Sequence, residues 1–195
     1  MTSTAARIVA LAAGLFLMAA STAVAAGGSL PGDSVYQLEL PLTSQDGETR
    51  DWETLRGKPR LVSMFYTSCQ YICPLIVDSG KAIEHALTPA QRDRLGIVLI
   101  SMDPARDDPT ALSAVAGQRK LDPDRWLLAS PRERDVRSVA GVLGIRYREL
   151  ADGEFNHTSA LVLLDAEGRI VARTDQVGTR PDPEFVAATR ALLGD

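Results

Sequence analysis

The sequence is poor in the residue types that carry chemistry or cross-links. Of 195 residues only two are cysteine and two histidine, and aromatic residues make up 5%. Two cysteines are too few for a disulfide-stapled scaffold, which needs several bridges to replace a missing core. Base is also in deficit, because 21 Lys and Arg stand against 25 Asp and Glu, a formal charge of −4. Phosphate neutralisation requires clustered Lys and Arg, so nucleic acid is not expected as a partner. Long apolar runs are missing except at the N-terminus, and a mean hydropathy of −0.02 excludes a polytopic membrane protein. What is present is 45% apolar residues, too many for a disordered polymer and enough for a globular core. The functional question is then whether the scarce reagents, Cys69, Cys73, His85 and His157, are placed to meet.

From Ile8 to Ala26 the chain carries no charge; Arg7 precedes this stretch and the small residues Thr22-Ala23-Val24-Ala25-Ala26 end it. Residues 1–25 read as a secretory signal, with Ala23-Val24-Ala25 in the small-x-small form that a signal peptidase accepts. The competing reading is an uncleaved anchor, since about 19 apolar residues just span a bilayer core of ~30 Å. Alanine-rich composition and the cleavage site favour removal. Either way residues 30–195 are expected to form one exported domain of about 170 residues, with the periplasm as its destination. Periplasmic thiols face an oxidising system, so the two cysteines are expected to be a disulfide, a metal site or a redox pair.

The rest of the chain alternates strand and helix signals. Residues 60–66 hold the β-branched Val62 and the aromatic Phe65 and Tyr66, and 97–102 are apolar apart from Ser101, as in a strand buried on both faces. Residues 161–164 and 169–173 flank Asp165-Ala166-Glu167-Gly168 as an antiparallel hairpin. A shorter strand is expected at 126–129, and a further hairpin over 35–54 around Asp46-Gly47. A capping residue followed by proline recurs at Thr88-Pro89, Asp108-Pro109, Ser130-Pro131 (with Glu133 completing a capping box) and Asp182-Pro183. These predict helices running to about Leu95, Arg119, Leu143 and Leu193, with Gly144 ending the third. The pattern is that of an α/β domain with the thioredoxin-like arrangement: a mixed sheet flanked by helices, an N-terminal hairpin, and a terminal hairpin plus helix.

Cys69 and Cys73 follow directly from the strand at 60–66 and open an amphipathic run with Leu75, Ile76, Ile83 and Leu87 as its apolar positions. At a helix start, unpaired N–H groups and the helix dipole favour thiolate over thiol, which both metal binding and thiol exchange require. A spacing of four puts both sulfurs on one side of a helical turn, within the reach of a disulfide. A purely structural disulfide would close a loop of a few residues and constrain little of the unfolded chain.

His85 lies twelve residues beyond Cys73, about 18 Å along a continuous helix, and is expected to be a solvated side chain. His157, in Asn156-His157-Thr158, precedes the strand at 161–164 in a loop after Asp152-Gly153. In a thioredoxin-like sheet the loop entering that strand passes beside the cysteines. Thioredoxins carry a cis-proline there, whereas 151–160 holds no proline and a histidine takes the position. Two soft thiolates and an imidazole suit copper in either oxidation state; zinc with two Cys, one His and a water is the chemical alternative.

These residues resemble the SCO/SenC family of copper-binding proteins of cytochrome c oxidase assembly. The resemblance rests on Gly57-Lys58-Pro59, on Phe65-Tyr66-Thr67-Ser68-Cys69 with Cys73-Pro74, on the run from Ser101-Met102-Asp103-Pro104 through Arg106-Asp107-Asp108-Pro109, and on Phe155-Asn156-His157-Thr158. It implies that Cys69, Cys73 and His157 hold Cu(I) or Cu(II) and that the cysteines cycle between dithiol and disulfide. It further implies that the protein helps metallate the copper centre of oxidase subunit II or a similar acceptor, with a periplasmic copper donor and a thiol reductant as other partners. Asp103, Arg106 and Asp107 would belong to a loop near the site, although the same residues can also be read as capping the helix after Pro109. Many members carry Pro and an acidic residue between the cysteines; here Gln70-Tyr71-Ile72 is neutral, a departure that bears on affinity and partner choice.

Two mechanisms follow from the same residues. As a metallochaperone the protein passes copper on by ligand exchange and is not an enzyme. As a thiol–disulfide oxidoreductase it keeps an acceptor's cysteines reduced, one thiolate attacking and the other resolving. His157 separates the two, because a reductase does not need it. A peroxidase is disfavoured, since peroxiredoxins need a proline and a threonine upstream of the attacking cysteine and Val62 and Tyr66 occupy those places.

Overall fold

The computed structural model describes residues 28–69 and 71–194, which leaves the stretch read as signal or anchor outside the described residues. In chain order the elements are β1 (Pro41–Ser44), β2 (Thr49–Asp51), β3 (Arg60–Phe65), α1 (Ile72–Ala86), α2 (Pro89–Asp93), β4 (Gly96–Ser101), α3 (Pro109–Gln118), β5 (Trp126–Pro131), α4 (Val136–Val142), β6 (Tyr147–Glu149), β7 (Phe155–His157), β8 (Leu161–Leu164), β9 (Ile170–Thr174) and α5 (Pro183–Leu193). Among the described residues no helix is long and apolar enough to cross a membrane.

The apolar runs with no polar face become the middle of the sheet. Every residue of β4 is buried, as are all but the first of β3, because layers cover both faces. The seven-stranded order is β2-β1-β5-β4-β3-β8-β9. β3, β4 and β5 run parallel, while β1 joins β5, and β8 joins β3, antiparallel. This is the mixed sheet of a thioredoxin-like fold, with its N-terminal hairpin at one edge and its terminal hairpin at the other. The two crossovers from β3 to β4 to β5 run the same way, and α1 and α3 meet: Arg119, just after α3, donates to Pro74 O of α1 at 3.3 Å and pairs with Asp78. Trp126 is buried with its indole N–H donating to Glu84 Oε2 at 2.9 Å, so this core tryptophan leaves no unsatisfied donor.

Local capping signals set three of the four helix starts they marked. Asp108 accepts from Ala111 N–H, and Asp182 from the N–H groups of Glu184 and Phe185, at the starts of α3 and α5. Thr88 and Gln91 form a reciprocal capping box at α2. Gly144, at φ 64, follows α4 as expected. The helix start expected at Ser130-Pro131 is corrected: β5 continues through Pro131, a 3₁₀ turn spans Glu133–Asp135, and α4 begins only at Val136. Ladder pairing with β1, from Ser44↔Ala129 to Leu42↔Pro131, outweighs the local capping signal. Ser130 Oγ instead donates to Asp107 O.

Candidate metal centre

Sheet topology brings three segments to the C-terminal end of β3. Parallel pairing of β3 with β4 sets their following loops side by side, and Met102 N–H donates to Phe65 O at 2.9 Å. Antiparallel pairing with β8 brings the start of that strand to the same end, where Ser63 Oγ donates to Ala160 O at 2.6 Å. The cysteines follow β3, the acidic loop follows β4, and His157 precedes β8. Such an edge is where open α/β sheets bind ligands.

Cys73 lies in the first turn of α1 and Cys69 in the loop before it; both are buried free thiols. Cys73 N–H points at Cys69 Sγ at 3.5 Å, and Tyr66 N–H at Cys73 Sγ at 3.4 Å. Burial pushes the Cys69 thiol up, but the N–H groups of Cys73, Tyr71 and Ile72 and the Cys73 thiol more than offset it, and the net direction is down. Burial drives the Cys73 thiol well above its ordinary range, and Tyr66 N–H only partly opposes it. Cys69 is therefore the sulfur that ionises first. Iodoacetamide added to the reduced native protein near neutral pH is expected to label Cys69 ahead of Cys73, read by peptide mass spectrometry; equal labelling would show that the two thiols do not differ.

Asp107 fixes the loop that carries the thiols. Its buried carboxylate accepts from Thr67 N–H at 3.1 Å, from Thr67 Oγ1 at 2.5 Å and from Ser101 Oγ at 2.6 Å. Burial raises its pKa, against the lowering effect of these Ser101 and Thr67 bonds. The capping role belongs to Asp108, so Asp107 is free to act on the thiol loop. Asp103 pairs with Arg106, which also reaches Gly153 O at 2.5 Å in the segment leading to His157.

The loop expected around His157 is a second, two-stranded sheet: β7 pairs with β6 antiparallel, His157 opposite Tyr147. Its Nδ1 lies 3.2 Å from Thr158 O. A carbonyl oxygen can only accept, so Nδ1 carries the proton and Nε2 the lone pair. That Nε2 is buried without a hydrogen-bond partner among the described residues. Burial lowers the imidazole pKa, with the Thr158 bond opposing, which keeps the ring neutral. The donor set of two thiols and a bare imidazole nitrogen thus fits a soft metal ion. Among the described residues no three His, Cys, Asp or Glu side chains stand close enough to cage an ion, so the imidazole shares this end of the sheet with the sulfurs without being at coordination distance. His85 is exposed near the end of α1, away from the site.

A sequence model of the family described as SCO1/SenC matches residues 31–193. The chain belongs to the SCO1/SenC family. The SCO1 protein homolog of Bacillus subtilis (strain 168) is 25% identical to it over 161 residues, 80% of this chain and 82% of that one. Bradyrhizobium japonicum ScoI, solved with copper bound, is 26% identical with a TM-score of 0.64, over 77% of this chain and 94% of that one. BsSco, described as a member of the Sco family of cytochrome c oxidase assembly proteins with a disulfide switch, shares the fold at 21% identity and a TM-score of 0.64, over 78% and 91% of the two chains.

Within this SCO1/SenC chain, two residues beside the candidate ligands escaped sequence reasoning as part of the site. Tyr66 Oη donates to Glu154 Oε2 at 2.9 Å, and the Tyr66 and His157 rings stand edge to face with centroids 6.0 Å apart. A signal for the hairpin was present, since Asp152-Gly153 sits between Tyr147-Arg148-Glu149 and Phe155-Asn156-His157, a turn pair between two alternating segments.

Proposed function

We propose that this SCO1/SenC protein carries copper as cargo, held by the thiolates of Cys69 and Cys73 and by Nε2 of His157, and delivers it to the copper centre of cytochrome c oxidase or a similar thiol-bearing acceptor. The observation that carries this reading is the Nε2 of His157, buried and without a hydrogen-bond partner among the described residues, at the same end of the sheet as the two thiols. A lone pair desolvated without a donor is costly unless something electron-deficient takes it up. Copper is favoured over zinc by the copper-bound Bradyrhizobium relative and by the softness of the ligand set. Release then proceeds by ligand exchange, the acceptor's thiolates replacing Cys69 and Cys73 in turn. The reading includes export to the periplasm by residues 1–25, a donor that loads the protein and a thiol reductant that restores the dithiol.

The split between the thiols favours a second activity at the same site. Cys69, the readily ionised sulfur, attacks an acceptor disulfide, forming a mixed disulfide and releasing one acceptor thiolate. Cys73 loses its proton and attacks Cys69 Sγ, releasing the second thiolate. The acceptor gains two electrons and the protein keeps a Cys69–Cys73 disulfide, which the reductant must reopen.

Titrating the reduced protein with Cu(I) against a chromophoric chelator is expected to give one tightly bound equivalent, lost in Cys69→Ser and in Cys73→Ser. A protein that leaves copper with the chelator yet exchanges disulfides rapidly would overturn the carrier reading in favour of the reductase.

A further inference from the structure

The hairpin of β6 and β7 lies outside the seven-stranded sheet, and a two-stranded ladder alone is marginal in water. Other contacts must therefore hold it beside the thiols. We propose that the Tyr66 hydroxyl and the Glu154 carboxylate form a latch that pins the His157 hairpin against the cysteine loop, making both of them positioning residues for the copper site. The functional part of this inference rests on His157 being a ligand.

Hydrogen-bond alternation in the hairpin exposes one amide to the latch. Leu150 N–H donates to Glu154 O at 2.7 Å, and Thr158 N–H to Arg146 O at 2.8 Å. In an antiparallel ladder bonded and non-bonded pairs alternate, so the pairs between these two, Glu149↔Phe155 and Tyr147↔His157, are non-bonded when 148 and 156 bond each other. The N–H of Phe155 consequently faces away from β6. It meets Tyr66 Oη at 3.4 Å, while the same hydroxyl donates to Glu154 Oε2 at 2.9 Å. One phenol thus serves as donor and acceptor to two successive hairpin residues.

The ring adds to the grip. Tyr66 packs edge to face on Phe155 at 5.2 Å between centroids, and its own N–H points at Cys73 Sγ. Tyr66 therefore touches the thiol on one side and the histidine hairpin on the other. The second polar tie, Arg106 to Gly153 O, holds the turn of the hairpin and not the strand that bears His157. Phenylalanine at position 66 would fill the same space and keep the ring contacts while losing both hydrogen bonds.

The test uses Tyr66→Phe, Glu154→Ala and Glu154→Gln, the last of which keeps an acceptor for the phenol. In the reduced, metal-free protein the Phe155 amide is expected to exchange with deuterium about tenfold faster in Tyr66→Phe and Glu154→Ala, and close to the parent rate in Glu154→Gln. Cu(I) affinity is expected to fall about tenfold in Tyr66→Phe, and Tyr66→Phe is expected to cost nothing further in a His157→Ala background. Unchanged Phe155 exchange in Tyr66→Phe, or an equal affinity loss with and without His157, would overturn the latch. Parent-like affinity in His157→Ala alone would instead remove His157 as a ligand, and exchange at Phe155 would then decide the latch by itself.

Discussion

His157→Ala is expected to lose copper affinity by at least about 100-fold, since loss of a ligand should exceed the 10–100-fold typical of losing its outer-shell support. The same variant should keep its fold and a reducible Cys69–Cys73 pair. The imidazole is only partly buried, and among the described residues its hydrogen bond is to the neighbouring Thr158 carbonyl and its inner nitrogen has no partner. Truncation therefore removes a ligand and little packing, with a stability change of about 1 kcal/mol or less. Copper–thiolate absorption and chelator competition measure the first effect, and thiol titration before and after mild oxidation the second. Copper held at the parent affinity by His157→Ala would sink the three-ligand arrangement.

Asp107→Ala carries the largest expected structural cost. Its carboxylate is fully buried and accepts from Thr67 N–H, Thr67 Oγ1 and Ser101 Oγ. Truncation orphans three donors, each worth about 1–3 kcal/mol when buried unsatisfied, against relief from burying a carboxylate. The net loss is expected near 3 kcal/mol, or roughly 6–12 °C in the thermal midpoint of a domain this size, with faster alkylation of Cys69 as its loop loosens. Asp107→Asn, which keeps one acceptor oxygen, should cost less. Because burial raises the Asp107 pKa in the folded state, its contribution favours folding at low pH and is lost as pH rises from the ordinary carboxylate value through the raised one. That part of the pH dependence should vanish in Asp107→Asn. A midpoint within about 1 °C of the parent for Asp107→Ala, well below the cost of even one orphaned donor, would show that this carboxylate does not hold the loop.

Legibility of the site followed sequence separation. Cys69 and Cys73 could be placed at a helix start from their neighbours alone, and α1 does begin between them, at Ile72. Asp107 was visible as part of an acidic loop, but its partner Thr67 lies 40 residues away, so capping and loop-holding could not be told apart from sequence. Tyr66 and Glu154, 88 residues apart, offered no joint signal at all. Ser130-Pro131 shows the converse error: a strong local helix signal yielded to a ladder with β1, whose partners Leu42 and Ser44 lie more than 80 residues earlier in the chain.

By itself the sequence determined which elements form where apolar period and caps agree: the buried strands 60–65 and 96–101, the helices opened by Asp108 and Asp182, and a cysteine pair at the start of α1. These are set within a few residues, by side chains satisfying nearby backbone groups or by runs with no polar face. Only the tertiary structure decided that β4 delivers Asp107 to Thr67, that His157 rides on a separate hairpin with a bare nitrogen, and that Tyr66 stands between that hairpin and Cys73. Hydrogen bonds between distant segments exist only once sheet order has brought their strand ends together, and strand order is a property of the whole chain's packing.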